Sequence, residues 1–181
     1  MNDGLIPNRY AKALYKFAVE QKQDDAVYQQ TSKLADSYNA MKELAGTVEN
    51  PYLSLSDKVN VLMTASGAEP NSCMGKFFEL VFSHGREAYL HSMALSYGKM
   101  YREANKISQV EIVTASELSD DEMAKIKVSV QTYLSGRTLE YKQSVDAELI
   151  AGFKIKVDSQ QLDASISSEL RNLRLKLLRK K

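Results

Sequence analysis

The chain has 181 residues, and its 24 Lys and Arg stand against 23 Asp and Glu. That near-neutral balance disfavours a protein whose main task is gripping a phosphate backbone, and the length suits one large domain or two small ones. A single cysteine, Cys73, excludes an internal disulfide and any multi-cysteine zinc site, and so fits a reducing compartment.

The opening segment, MNDGLIPNRYAKALYKF, lacks the apolar core and small-residue cleavage site of a secretory signal. No stretch approaches the roughly 20 apolar residues that span a bilayer, so contact with a membrane is expected only indirectly, through partners. From Pro7 onward the pattern is helical, with Tyr10, Ala11, Ala13, Leu14, Phe17 and Ala18 recurring at three- and four-residue steps. Val27, Thr31, Leu34, Tyr38, Met41 and Leu44 continue that period and predict one long second helix, so the pair reads as a helical hairpin. Pro51 then biases Asn50 away from the helical region, and Ser54 or Ser56 can cap the next helix.

Leu55, Val59, Leu62 and Met63 predict that helix to be short and ended by SGAEPNS, after which Ser72 can cap another. The helix after Ser72 carries Met74, Phe77, Phe78, Leu80, Val81 and Phe82 nearly all round its axis, which predicts a deeply buried element. SHGR ends it, and a last helix is expected from about Glu87 to Asn105. Beyond Lys106 the period changes to two. ISQVEIVTAS alternates as a half-buried strand, and Ser119 with Glu122 makes a capping box for a helix that Gly136 ends. Two further strands, TLEYKQSV and LIAGFKIKV, are expected, the second with Phe153, Ile155 and Val157 on a packed face and Lys154 and Lys156 on a wet one. Gly152 marks a bulge or a close backbone approach. Leu162, Ile166, Leu170, Leu173 and Leu177 then predict a terminal helix.

The expected fold is therefore mainly α with a small α+β part: a helical bundle over 1–105, then a β-α-β-β-α domain over 106–181. The last eleven residues hold six basic groups and no acid, and the off-stripe Leu175 and Leu178 inside this tip are candidates for a partner surface.

Candidate chemistry is sparse. His84 and His91 lie seven apart, but no carboxylate or cysteine spacing completes a metal set, so a turn role for His84 and a surface role for His91 are expected. Cys73 has no base beside it and reads as a packing residue. Neither GxGxxG nor GxxxxGK[ST] occurs, which disfavours nucleotide chemistry. Asp146, Glu148, Asp158 and Asp163 could be cast as an acid pair for a small hydrolase, yet they fall at turns and a helix start, where such residues serve the backbone. An RNA-binding module using the basic tip is the alternative function, although the GxxG clamp and the aromatic RNP pattern are both missing. No catalytic residue, cofactor or metal is expected.

Taken jointly, RYAKALYKFAVEQ (9–21), NPYLSLSDK (50–58), FFELVFSHGR (77–86) and VEIVTASELSDDE (110–122) resemble the delta subunit family of F-type ATP synthases, called OSCP in mitochondria. The stretch from Asp146 through Leu149-Ile150-Ala151-Gly152 to Asp163-Ala164-Ser165 resembles that family's acidic residue, Leu-Ile-Gly-Gly, alternating strand and Asp-x-Ser. Here Ala151 replaces the first glycine and His84 replaces the asparagine of an Asn-Gly-Arg turn. The resemblance covers nearly the whole chain. It implies a six-helix N-terminal domain on the crown of the catalytic head, holding N-terminal helices of alpha subunits. It also implies a C-terminal domain that receives the end of the peripheral-stalk b subunit. Such a protein is a stator part without catalysis, held peripherally at the cytoplasmic face of a bacterial inner membrane, with no nucleic-acid partner. Carried over by position, Tyr10, Ala13, Leu14 and Phe17 with Leu80 and Arg86 would line the groove for the alpha helix.

Overall fold

The computed structural model describes residues 4–69, 71–115, 120–133, 136–146, 149, 152–157 and 160–165. The chain divides into two compact units, Met1–Ala104 and Asn105–Lys181.

In the first unit, α1 (Leu5–Glu20) has Pro7 in its first turn, where the missing N–H costs no hydrogen bond. Pro7, Ala11, Leu14 and Ala18 form its buried stripe. Helix α2 (Asp24–Ala40) opens with Asp24 and Asp25, two carboxylates set favourably against the positive end of the helix dipole. It buries Val27, Thr31, Leu34 and Ala35. The single long helix expected through Leu44 is not found. Met41 takes an extended conformation (φ −118°, ψ 93°), and a separate α3 (Glu43–Glu49) buries Leu44 and Val48. The apolar spacing survives this break, which is why periodicity alone passed over it.

Ser54 caps α4 (Leu55–Ser66), its hydroxyl accepting from the Asp57 N–H at 3.2 Å. Gly67 ends α4 in the left-handed region at φ 65°, where a β-carbon would be strained. Ser72 likewise caps α5 (Cys73–Ser83), accepting from the Gly75 N–H at 3.3 Å. Helix α5 is not apolar all round, contrary to expectation: Leu80 is exposed, Phe82 is half-buried, and Met74, Phe77, Phe78 and Val81 supply the core. A 3-10 turn (Glu87–Tyr89) leads into α6 (Leu90–Ala104). Tyr97 of α6 is fully buried, with its hydroxyl donating to the Asp24 carbonyl at 3.1 Å and its ring edge-on to Tyr15. Nearby, Tyr101 stacks on Tyr28 at 4.2 Å and donates to Asp25. The α1–α2 corner is thus fastened to α6 by aromatic rings whose polar tips find partners. His91 is no surface residue: it is half-buried, stacked on Tyr38 at 5.3 Å.

In the second unit, β1 (Ile107–Thr114) runs into α7 (Asp120–Tyr133) and then β2 (Thr138–Val145), which pairs parallel with β1. Strand β3 (Gly152–Val157) pairs antiparallel on the other side of β1, and β4 (Gln160–Ser165) pairs antiparallel with β3, giving the order β2-β1-β3-β4. Val110, Ile112 and Ile155 form the core of one face with Val130 of α7. The opposite face carries Lys156 Nζ 3.2 Å from Glu111 and Lys154 Nζ 3.9 Å from Asp163, together with the buried Val113.

The helix expected from Leu162 is corrected over its first residues. Leu162 pairs with Ile155, and Asp163 pairs with Lys154 across the ladder, so Asp163 caps no helix there. Residues 166–181, including Leu175 and Leu178, lie outside the described residues, as does Ser119 of the expected capping box. Gly152 has φ 93° and opens β3, a conformation glycine adopts without strain.

Candidate functional site

Two ring contacts define how α1 and α5 lie together. The Tyr10 ring stands 6.2 Å from the His84 ring, near perpendicular at 77°, and Lys76 Nζ sits 5.9 Å from the centre of the Phe17 ring. Residue 10 therefore meets residue 84 and residue 17 meets residue 76, so the helices run antiparallel. Between those two contacts lie about two helical turns, roughly 10–12 Å at 1.5 Å per residue. Ala13 of α1 and Leu80 of α5 fall midway.

The result is a shallow apolar furrow. Tyr10 and Phe17 are half-buried, Ala13 and Leu80 are exposed, and Leu80 shows 44% of its surface to solvent. Charged groups of both signs border the furrow: Arg9, Lys16 and Glu20 are exposed on α1, and Lys76 and Glu79 on α5. Apolar area flanked by charge on two parallel walls accepts the apolar stripe of another helix.

Of the expected groove residues, Tyr10 and Phe17 of α1 meet His84 and Lys76 at α5, and Ala13 and Leu80 are exposed on the stretches between those contacts. Leu14 is not among them: it is 3% exposed and belongs to the buried stripe of α1 with Ala11 and Ala18. The physical reason is angular, because residue 14 lies on the side of α1 that its neighbours in the unit cover, and 10, 13 and 17 lie beside that stripe. Arg86 is exposed just past the C-terminal end of α5, where Gly85 (φ 60°) turns the chain and the Arg86 N–H donates to the Val81 carbonyl at 3.0 Å. Leu175 and Leu178 lie outside the described residues. Two residues that meet α1 from α5 were not among those expected, His84 and Lys76. Both sit four residues from Leu80, and that spacing was the available signal.

A second concavity of about 990 Å³ lies where α2 gives way to α3 against α4, lined by Ser37, Met41, Leu44, Thr47, Val61 and Ala65 among others. Met41 is half-exposed there, and Ser37 Oγ donates to the Ala65 carbonyl at 3.0 Å. The unbroken helix expected from the sequence hid it.

Titratable groups do not converge on either concavity in a reactive arrangement. Burial, assisted by the charge of Glu49, pushes the Tyr38 phenol up to about 12, and burial likewise raises Tyr97 and Tyr101. Burial also raises the Cys73 thiol, which donates to Gln23 Oε1 at 3.2 Å, the opposite of what an activated nucleophile needs. Among the described residues no three His, Cys, Asp or Glu gather as a metal set, and no helix is long and apolar enough to cross a membrane.

The first unit is a helical bundle with partly exposed apolar side chains along α1 and α5, and the second a small mixed sheet packed against α7. The family model for the ATP synthase delta (OSCP) subunit matches residues 6–177. The ATP synthase subunit delta of Parabacteroides distasonis is 36% identical over 181 residues, covering 98% of each chain. That of Phocaeicola vulgatus is 32% identical over 178 residues, covering 98% of this chain and 96% of its own. A chain of the cryo-EM structure of the Toxoplasma gondii mitochondrial ATP synthase hexamer superposes with a TM-score of 0.72 at 21% identity, over 95% of this chain and 97% of that one, a likeness of fold. The chain belongs to the ATP synthase delta (OSCP) subunit family, a non-catalytic structural component of the F-type ATP synthase and its peripheral stalk.

Proposed function

We propose that this subunit ties the alpha/beta catalytic head to the peripheral-stalk b subunit and so holds the stator against rotor torque during proton-driven ATP synthesis. Residues 1–105 form the head-binding domain, receiving an N-terminal helix of an alpha subunit in the furrow between α1 and α5. Residues 106–181 form the stalk-binding domain, with Leu175 and Leu178 offered to the C-terminal end of b. The assembly sits at the cytoplasmic face of a bacterial inner membrane and touches the bilayer only through other subunits.

The observation that carries the reading is the furrow itself: Tyr10, Ala13, Phe17 and Leu80 are apolar, partly exposed and aligned over two turns on antiparallel helices. Exposed charges of both signs beside it, Arg9, Lys16, Glu20, Lys76 and Glu79, can meet charges that flank the apolar stripe of an incoming helix. A stator needs strong attachment more than chemistry, and two modest contacts joined in one chain gain through effective concentration, so neither needs to be tight alone.

The test is binding of a labelled N-terminal alpha-subunit peptide to the full chain. Wild-type protein is expected to bind it, and Leu80→Glu, which puts a carboxylate in the furrow, is expected to lose binding while keeping the helical circular dichroism spectrum. Equal binding by Leu80→Glu removes the furrow from the mechanism. For the second contact, each half alone is expected to bind the assembled complex more weakly than the whole chain, and equal affinities refute the two-point tether.

A further inference from the structure

His84 is unusual among the groove residues because its ring is fixed from two sides. It is the C-cap of α5 (φ −99°, ψ 0°), and its Nδ1 lies 2.9 Å from the Leu80 carbonyl, which also accepts from Ser83 Oγ at 2.8 Å. A carbonyl only accepts, so Nδ1 carries the hydrogen and Nε2 is the ring's remaining polar atom. The other anchor is the perpendicular contact with Tyr10 at 6.2 Å, a favoured geometry for an aromatic pair.

The opposite end of the furrow is built differently. There Lys76 rests its ammonium against Phe17, and a four-carbon stem lets that charge swing aside. An incoming helix can displace the lysine far more readily than a ring pinned by a hydrogen bond and an aromatic partner. One end of the furrow is therefore a stop and the other a flexible margin.

We infer that His84, backed by Tyr10, is the specificity-determining end wall of the furrow, fixing the register of the docked helix by accepting a hydrogen bond at Nε2. This rests on the proposed docking of an alpha-subunit helix in the furrow. The matching group on the partner is a donor, a hydroxyl or amide N–H, placed just beyond the apolar stripe that covers Ala13 and Leu80. An asparagine placed at 84 is shorter and has no ring to set against Tyr10. Such a groove has a lower wall and tolerates more registers.

The experiment uses the full chain and a series of labelled alpha-subunit peptides in which each side-chain donor is replaced by alanine in turn. With wild-type protein, one position is expected to stand out by about fivefold in Kd, the size of a single net hydrogen bond. In His84→Phe, which keeps a ring against Tyr10 and removes both ring nitrogens, that position is expected to become indistinguishable from the others. His84→Ala is expected to lose the same discrimination. Thermal unfolding of each variant is followed alongside. If His84→Phe weakens every peptide by the same factor, or changes none, the end-wall role is overturned while the groove reading stands. If wild-type protein binds no peptide in the series, both readings fall.

Discussion

Leu14 and Leu80 sit on opposite sides of the division between core and furrow, and exchanging each for alanine reads that division directly. Leu14 is almost fully enclosed, so Leu14→Ala removes buried methyl groups and leaves a cavity, a change that costs about 2–5 kcal/mol. Against the roughly 5–15 kcal/mol that typically separates folded from unfolded domains, that is a large fraction, visible as a marked fall in the urea midpoint of the N-terminal unit. Leu14 faces the core and not the proposed docking strip, so peptide affinity per folded molecule is expected to stay within about twofold of wild type.

Leu80 behaves the other way. Its 44% exposure is the area a docked helix can cover, and that share of the ~1.5–3 kcal/mol for burying a leucine is about 1 kcal/mol, or roughly fivefold in Kd. Leu80→Ala also loses the buried part of its side chain, about 1 kcal/mol of stability. Urea unfolding by far-ultraviolet circular dichroism and peptide binding by fluorescence anisotropy measure the two quantities on the same samples. If Leu14→Ala spares stability and weakens the peptide, the assignment of the α1 faces is wrong.

Three further outcomes are expected. Tyr97→Phe strips the hydroxyl that donates to the Asp24 carbonyl and is expected to destabilise the first unit by about 1–2 kcal/mol in urea unfolding. Burial raises the Tyr38 phenol from 10.0 to about 12, so the folded state prefers the neutral form; its contribution to stability is whole below pH 10 and is lost as pH climbs towards 12. Urea midpoints measured across that window are expected to fall less steeply in Tyr38→Phe than in wild type, the remaining slope coming from Tyr97 and Tyr101, which are raised as well. Gly67→Ala is expected to cost about 1 kcal/mol in thermal unfolding through backbone strain alone, since an added β-carbon meets only the end of the Lys33 side chain at 3.7 Å. A Gly67→Asn variant is expected to recover part of that loss, because asparagine tolerates the left-handed region.

Local signals determined a good deal of this molecule. Caps at Ser54 or Ser56 and at Ser72 were readable because a hydroxyl reaching the third amide of its own helix needs nothing from elsewhere in the chain, and the structure uses Ser54. The strand at 152–157 was readable from Phe153, Ile155 and Val157 alternating with lysines, since period two comes from the pleat itself. The family was legible too, from several short motifs in order along nearly the whole chain.

Tertiary structure decided the rest, wherever two local readings were equally good. At Met41 the apolar period runs on without a breaker, and the turn is settled by what α3 and α4 do, with Ser37 tied to the Ala65 carbonyl 28 residues away. At Leu162 and Asp163 the leucine spacing favours a helix, but pairing with Ile155 and Lys154 of β3 outweighs it, and a ladder partner is invisible to any local window. On α1, helical spacing already sets Tyr10, Ala13 and Phe17 apart from Ala11, Leu14 and Ala18, and Leu14 alone was expected on both the core side and the groove. Packing against the rest of the bundle took Ala11, Leu14 and Ala18, and Tyr10, Ala13 and Phe17 were left at the furrow beside α5. Sequence sets which residues can be apolar neighbours along one helix; only the positions of the other helices decide which face is used up and which stays open.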